Sequence, residues 1–521
     1  MKDHALRLAF CFFVLGFALF HFADNVADPD LWGHVLFGQR MIRMKTIERA
    51  DPFSWTAPGA PWINHEVLAE VALGGVHQLA GGTGILFLKL FIGMLTFWIA
   101  LRMGSELLAW PWRAVAWVIG FIAAVEIAFG FAARPQIFSA LGLAVLLWML
   151  RRVYAGRIRW AFALPLLFAA WINTHGGALA GLLVLGTSFA AVSAEALLKR
   201  RGALETRTLV PLGLAVALSA AALLVNPWGW RLPAWLVESV RWVRPEIHEW
   251  NPARLDLDRL PFFTLAGLSL AAFAFSRRRR EPWEAAVVGI LAVMAFRHVR
   301  HTPLFSIAAL SFIPPHVADL VHRLRPHVTR LETCMTNAKL QRAAVPLFAL
   351  AGAGCILAAG TLHKECAWTM EVPRDTYPVS AVRFMQEQEL KGNLVVFFDW
   401  GEMAIWELPD CPVSLDGRLD TSYPRDVIAA NWTLYRGTPP DPSVLDLRKA
   451  ELALLPRELP GAQMLVKKFR WKLAYEDPLA VVLIRNTAQQ PGLADVALPV
   501  QQGMGALAGR AAFPRMAKDK Q

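Results

Sequence analysis

Five cysteines in 521 residues are too few for a disulfide-built scaffold. Cys11 and Cys355 sit in long apolar runs and Cys334 in a basic stretch. Only Cys366 and Cys411 share the C-terminal region, where a disulfide between them is the one pairing an oxidising compartment would favour. A cleavable signal peptide is not expected either: the apolar run 5–23 is long for a signal core, and no small-residue cleavage site stands before Asp24. The run is expected to stay as a first span. Nor does the formal charge of +12 have a basic soluble face behind it, because Lys and Arg cluster in short loops between apolar blocks. That pattern argues against a nucleic-acid partner and is the positive-inside signal of a membrane protein.

Apolar surface is abundant. Hydrophobic residues make up 55% of the chain and the mean hydropathy is +0.39, whereas soluble domains hold ~45–50% apolar residues. Blocks of roughly 15–20 apolar residues match the length needed to cross ~30 Å of hydrocarbon, and helices are expected because backbone groups in lipid must pair within their own segment. Eleven spans are expected near 5–23, 82–101, 112–132, 135–150, 159–173, 178–197, 207–225, 259–275, 282–296, 302–315 and 344–362. With the N-terminus cytoplasmic, this count places Arg102, Arg151, Arg152, Arg157, Arg159, Lys199, Arg200, Arg201, Arg277 to Arg280 and the basic 322–342 segment inside. Counting the apolar stretch 67–80 as another span would turn them all outward. It is therefore expected to lie at the interface as an amphipathic helix within a large outer loop, 24–81. A second outer loop, 226–258, carries Trp228, Trp230, Trp235, Trp242 and Trp250, which suit the headgroup level.

The expected fold is a polytopic α-helical membrane protein of about 11 spans, filling 1–362, with a soluble outer α/β domain at 363–488 and a disordered tail at 489–521. In the soluble part, 394–398 and 481–484 are predicted strands, and 379–389 and 425–435 predicted helices.

Residues that lipid-facing packing does not need collect on the outer side. The first loop holds Asp28-Pro29-Asp30-Leu31-Trp32-Gly33-His34, Asp51-Pro52-Phe53-Ser54-Trp55 and Asn64-His65-Glu66. Later turns hold Arg134-Pro135-Gln136, Asn173-Thr174-His175-Gly176-Gly177, Asn226-Pro227-Trp228-Gly229-Trp230 and Arg297-His298-Val299-Arg300-His301. Asp28 and Asp30, with His34 nearby, suit a hard divalent cation or a general base. The alternative is a turn in which Asp30 caps the following helix. Arg134, Arg297 and Arg300, with His175, His298 and His301, suit a lipid-borne phosphate, unless the arginines simply snorkel to headgroups. Lys89 and Glu126 fall inside predicted spans, where an ionisable group needs a partner or water; they are expected to form an ion pair or to face a cavity. Asp399-Trp400-Gly401-Glu402 and Asp416-Gly417-Arg418-Leu419-Asp420 follow predicted strands. They are turn formers, or else Asp416, Arg418 and Asp420 reach a ligand.

This arrangement resembles the GT-C superfamily of membrane glycosyltransferases. The shared features are a cytoplasmic N-terminus, one span, a long first outer loop with an acidic Asp-Pro-Asp motif and an interfacial helix, many further spans and an outer C-terminal domain. The finer motif pattern at 28–34, 51–55, 64–66, 134–136, 173–177, 399–401 and 416–420 is similar to a group of bacterial membrane proteins described as GT-C-like, over residues 20–485. The superfamily includes protein O-mannosyltransferases, the aminoarabinose transferase of lipid A and oligosaccharyltransferase subunits. The chain lacks the Trp-Trp-Asp-Tyr-Gly type of motif by which the last of these bind their acceptor peptide.

The resemblance implies a transferase in a bacterial inner membrane, moving a sugar from a polyprenyl-phosphate-linked donor to an acceptor on the outer, periplasmic face. Asp28, Asp30 and Glu66 are the expected catalytic residues, and Asp28 and Asp30 the expected ligands of a divalent metal ion. The expected substrate groups are His34, His65, Arg134, Gln136, Asn173, His175, Arg297, His298, Arg300, His301, Asp416, Arg418 and Asp420. Two rivals stay open. A transporter or flippase of an envelope lipid or polysaccharide precursor would use Lys89, Glu126 and the histidines along a path. A non-catalytic envelope-assembly protein would bind a protein partner through its outer domain.

Overall fold

A computed structural model describes residues 2–198, 206–242, 244–323, 338–361, 368–485 and 510–513. Its residues fall into two compact units, Met1–Asp24 with Phe87–Lys364, and Asn25–Leu86 with Glu365–Gln521.

The helices, in chain order, are α1 (Lys2–Phe22), α2 (Leu31–Met44), α3 (Val67–Glu106), α4 (Arg113–Phe129), α5 (Gln136–Tyr154), α6 (Leu164–Ile172) and α7 (Ala178–Leu197). They continue with α8 (Thr206–Ala222), α9 (Arg231–Arg241), α10 (Leu260–Phe275), α11 (Pro282–Arg297), α12 (Thr302–Phe312), α13 (Pro314–Arg323) and α14 (Ala338–Thr361). Helical structure is found at all eleven predicted segments. By length and composition, five of the described helices can cross a membrane, or six if the stretch through α12 and the bent α13, turned by 56°, is one span. The expected boundary near 81 is a kink within one 40-residue helix, where Gly81 adopts φ 61 and ψ −152, a conformation reserved for glycine.

In the first unit, small residues bring helices together. A Cβ on Gly16 of α1 would lie 2.7 Å from the Gly352 carbonyl of α14, so the two backbones are in contact, as suits apolar helices that gain little from hydrophobicity alone in lipid. Glu126 and Lys89 are not an ion pair. Glu126, 1% exposed, accepts a hydrogen bond from Thr302 and faces Arg259 Nη1 at 3.5 Å, while Lys89 donates to the Asp24 carbonyl. The correction arises because α10 and α12 both pack against α4, a neighbourhood that spacing along the chain does not reveal.

The second unit adds α15 (Val379–Glu387), α16 (Gly401–Glu407), α17 (Arg425–Tyr435) and α18 (Pro460–Lys467). Its strands are β1 (Glu371–Pro373), β2 (Leu394–Val396), β3 (Leu452–Pro456), β4 (Lys472–Glu476), β5 (Ala480–Ile484) and β6 (Arg510–Ala512). Four form a mixed sheet in the order β2-β3-β5-β4, with β2 parallel to β3 and the other pairs antiparallel. Continuous apolar runs in β2, β3 and β5 are buried, while β4 exposes Lys472 and Leu473 at the edge. Val395, Leu434, Leu455, Leu465 and Leu483 are central to the core. Beyond β2, Val413 bridges both Leu394 and Ser54, so the first loop continues this layer. Cys411 is buried and its thiol donates to the Leu390 carbonyl at 3.3 Å. Cys334, Cys366, Lys199, Arg200, Arg201 and most of the 322–342 segment lie outside the described residues. Within the tail predicted to be disordered, residues 510–512 form β6, antiparallel to β1.

Candidate functional site

Asp28 and Asp30 stand where the chain leaves the bridge between Val26 and Glu371 and enters α2. Asp28 Oδ1 accepts the Asp30 N–H at 3.1 Å, a turn formed by Asp-Pro-Asp itself. Asp30 occupies the N-cap position without a side-chain capping bond. Its carboxylate faces the C-terminal segment instead. A Cβ on Gly417 would lie 2.2 Å from Asp30 Oδ1 and 2.8 Å from Glu402 Oε1, and one on Gly33 would lie 2.2 Å from Glu402 Oε2. A Cβ on Gly401 would meet the Leu415 carbonyl at 2.5 Å. Glycines from three distant motifs thus clear the space in which two carboxylates approach each other. Glu402, 3% exposed, accepts the Gly33 N–H at 3.0 Å. Burial, then the charges of Asp30 and Asp416, hold its carboxyl well above the usual range. Adjacent carboxylates do not both ionise readily, and burial disfavours the charged form of Glu402.

One turn along α2, His34 Nδ1 faces Glu70 Oε1 at 3.4 Å and Glu66 Oε2 at 3.8 Å. Asn64 donates to the second oxygen of Glu70 and accepts the Glu66 N–H at 2.9 Å, and His65 Nε2 lies 3.4 Å from Glu66 Oε1. Burial works against a charged His34, but its bond to Glu70 and the charges of Glu66, Glu70 and Asp30 outweigh it and raise its pKa. The ligand atoms of His34, Glu66 and Glu70 lie within 4.8 Å of one another. One imidazole and two carboxylates fit a divalent transition metal better than magnesium, which prefers oxygen alone. Two glycines make the meeting possible: a Cβ on Gly38 would lie 1.8 Å from the Glu70 carbonyl, and one on Gly74 2.6 Å from the Gln39 nitrogen. Backbone contact between α2 and the start of α3 thus sets His34 against Glu66 and Glu70.

Asp416 and Arg418, expected to reach a ligand, are turned on each other. Arg418 donates to Asp416 from Nε at 2.8 Å and Nη2 at 2.6 Å, and to Asp51 from Nη1 at 2.6 Å. Tyr423 donates to the Asp416 carboxylate as well. Phe37, Phe53, Trp62 and Tyr423 surround the guanidinium with ring centroids 5.0–5.6 Å away. With side-chain exposure of 3% for Arg418 and 0% for both aspartates, this is a structural pin holding the first loop to the 416–420 turn. Asp420 stays partly exposed beside it.

The cationic residues of the first unit gather on a carboxylate. Arg134 Nη1 lies 3.9 Å and Arg300 Nη1 3.4 Å from opposite oxygens of Glu249. Burial opposes its charge, but Arg300 and Arg134 prevail, with smaller help from His175 and His301, and keep the Glu249 carboxyl below the usual range. The neighbouring Trp250 ring has the guanidinium of Arg244 at 4.6 Å and that of Arg300 at 4.5 Å from its centroid, and its carbonyl accepts from His298 Nδ1 at 2.7 Å. His175 has a defined tautomer. Trp171 donates to Ser139 Oγ at 2.8 Å, leaving the hydroxyl to donate to His175 Nδ1 at 2.7 Å, where the Gly177 N–H also points at 3.0 Å. Its proton is therefore on Nε2, which presents a donor. Arg297 is exposed and outside this set. Gln136 donates to the Gly130 carbonyl at 3.4 Å, and Asn173 to those of Ala169 at 2.7 Å and Val225 at 2.6 Å, so both brace helix ends.

Sequence reasoning passed over Glu402, Glu70 and Glu249. Glu402 was visible as the acid closing Asp-Trp-Gly-Glu; Glu70 and Glu249 gave no signal beyond one acid in an apolar helix and one in a Trp-rich loop.

No protein-family model and no curated protein matches the chain. Solved structures do. The archaeal oligosaccharyltransferase AglB from Archaeoglobus fulgidus, in complex with an inhibitory peptide and a dolichol-phosphate, superposes with a TM-score of 0.53 at 13% identity, over 85% of this chain and 69% of that one. ArnT from Cupriavidus metallidurans in the apo state gives 0.55 at 15% identity, over 90% and 96%. The same ArnT bound to undecaprenyl phosphate gives 0.52 at 13% identity, over 93% and 98%. The resemblance drawn from the sequence is met at the level of architecture: this chain has the fold of the GT-C membrane glycosyltransferases.

Proposed function

We propose that the chain transfers a sugar from a polyprenyl-phosphate-linked donor to an acceptor on the periplasmic face of a bacterial inner membrane. The observation that carries this reading is the convergence of Asp30, Gly33, Gly401, Glu402 and Gly417, drawn from three sequence motifs, on one pair of carboxylates. Asp30 takes the proton of the acceptor nucleophile as that atom bonds to the anomeric carbon. The bond from this carbon to the phosphate oxygen breaks, and polyprenyl phosphate departs with the electron pair. Glu402 is the buried acid, whose charged form is disfavoured, which leaves the partly exposed Asp30 to act as the base. Within the first unit, Arg134 and Arg300 are the cations whose guanidinium groups suit a lipid-borne phosphate. His34, Glu66 and Glu70, rather than Asp28 and Asp30, would hold a divalent ion, which would add Lewis-acid charge. Undecaprenyl phosphate in ArnT and dolichol-phosphate in AglB support a polyprenyl carrier. A flippase path has less support, because Glu126 is held by Thr302 and Arg259.

The test uses purified full-length protein with undecaprenyl-phosphate-linked hexoses and pentoses. Asp30→Asn should lower transfer by ~100-fold or more, the usual worth of a positioned base, while undecaprenyl phosphate still binds. Arg300→Ala should weaken that binding. Equal transfer by wild type and Asp30→Asn would overturn the mechanism.

A further inference from the structure

The short strand β6 occupies an unusual place. It pairs with β1 in the register Glu371 to Ala512, Val372 to Ala511 and Pro373 to Arg510, and the Phe513 N–H donates to the Met370 carbonyl at 2.8 Å. The opposite edge of β1 is taken by the first loop: the Glu371 N–H donates to the Asn25 carbonyl and the Ala27 N–H to the Glu371 carbonyl, both at 2.8 Å. Residue 27 leads directly into Asp28. Phe513, 3% exposed, closes the other side, with its ring 5.2 Å from Trp32, 5.5 Å from His77 and 6.1 Å from Trp406. Trp32 is two residues beyond Asp30 and one before Gly33, whose N–H binds Glu402. The segment 510–513 therefore braces the acidic motif from both ends, through β1 on one side and Trp32 on the other.

We propose that β1 and the Trp32, His77 and Trp406 pocket form a binding site for an extended peptide of small residues ending in an aromatic, and that residues 510–513 are its exchangeable resident ligand. This is strand addition to a sheet edge: main-chain bonds supply affinity, and one side-chain pocket supplies specificity. Two points support exchange. The β1·β6 pair is a sheet of its own, separate from β2-β3-β5-β4. Among the described residues it is held by three register pairs and one large side chain. Occupancy of the site sets the order of residues 25–34. The proposal stands whether or not the chain transfers sugar.

The test is hydrogen–deuterium exchange of the full-length protein with Phe513→Ala. Amides at 25–34 and 371–373 should exchange roughly tenfold faster or more, as expected when a local unit opens, while β2 to β5 keep their protection. Acetyl-Arg-Ala-Ala-Phe-amide at millimolar concentration should restore protection in the variant, and the same peptide ending in Ala should not. Unchanged exchange at 25–34, equal rescue by both peptides, or loss of protection throughout the unit would each overturn the proposal, the last by making Phe513 an ordinary core residue.

Discussion

Glu402 is worth more to the site protonated than charged. Its carboxyl is held well above the usual range by burial and by the charges of Asp30 and Asp416, so the sign of its effect on stability follows. The neutral acid contributes fully below the ordinary Glu value of ~4.3, and that contribution is lost as the pH rises through the folded-state value. Glu402→Gln, which keeps the shape of the neutral acid, should retain fold and transfer at neutral pH and flatten the loss of stability that sets in as the pH rises above the ordinary Glu value. Thermal unfolding measured from mildly acidic to mildly alkaline pH checks this; a variant that falls as steeply as wild type would sink the assignment. At this scale the sequence was only partly legible. Asp30 was apparent because an Asp-x-Asp motif after the first apolar run is unusual, and its neighbour Glu402 was in view as a turn-forming acid. Arg418 shows the opposite limit: its charge was apparent, but not that Asp51 and Asp416 would consume it.

Among the elements, glycine decides which helices can touch. The crossing of α2 and α3 leaves no room for a Cβ at Gly38, whose nearest atom is the backbone carbonyl of Glu70 at 1.8 Å, and a backbone atom cannot swing aside as a side chain can. Gly38→Ala should destabilise the protein by ~1–3 kcal/mol, the usual cost of overpacking, and should separate His34 from Glu66 and Glu70. Calorimetric unfolding, with zinc or manganese titrated into wild type and variant, reads both effects. Gly417→Ala makes an informative contrast, since its Cβ meets the side-chain ends of Asp30 and Glu402 and should disturb the site more than the fold. Apolar length made the helices of the first unit legible, and the runs at β2 and β5 gave those strands. β3 was missed because Leu-Ala-Leu-Leu suits a helix as well as a strand, and β4 because its exposed Lys and Leu follow no clean alternation.

For the whole molecule, the proposed crossing number and orientation make one testable statement. Alkaline phosphatase fused after Ile484 should be active and green fluorescent protein fused there dark, with the reverse result for fusions in the Arg277 to Arg280 loop; matching signals at both points would remove the eleven-span topology. The pin between Asp51 and Arg418 adds a constraint in time. The two residues are 367 positions apart, and a ribosome adding ~5–20 residues per second makes the aspartate roughly 20–70 s before its guanidinium exists. For that interval a carboxylate destined for complete burial must wait in water. The first loop, synthesised long before the turn that pins it, can acquire its final shape only after that turn exists.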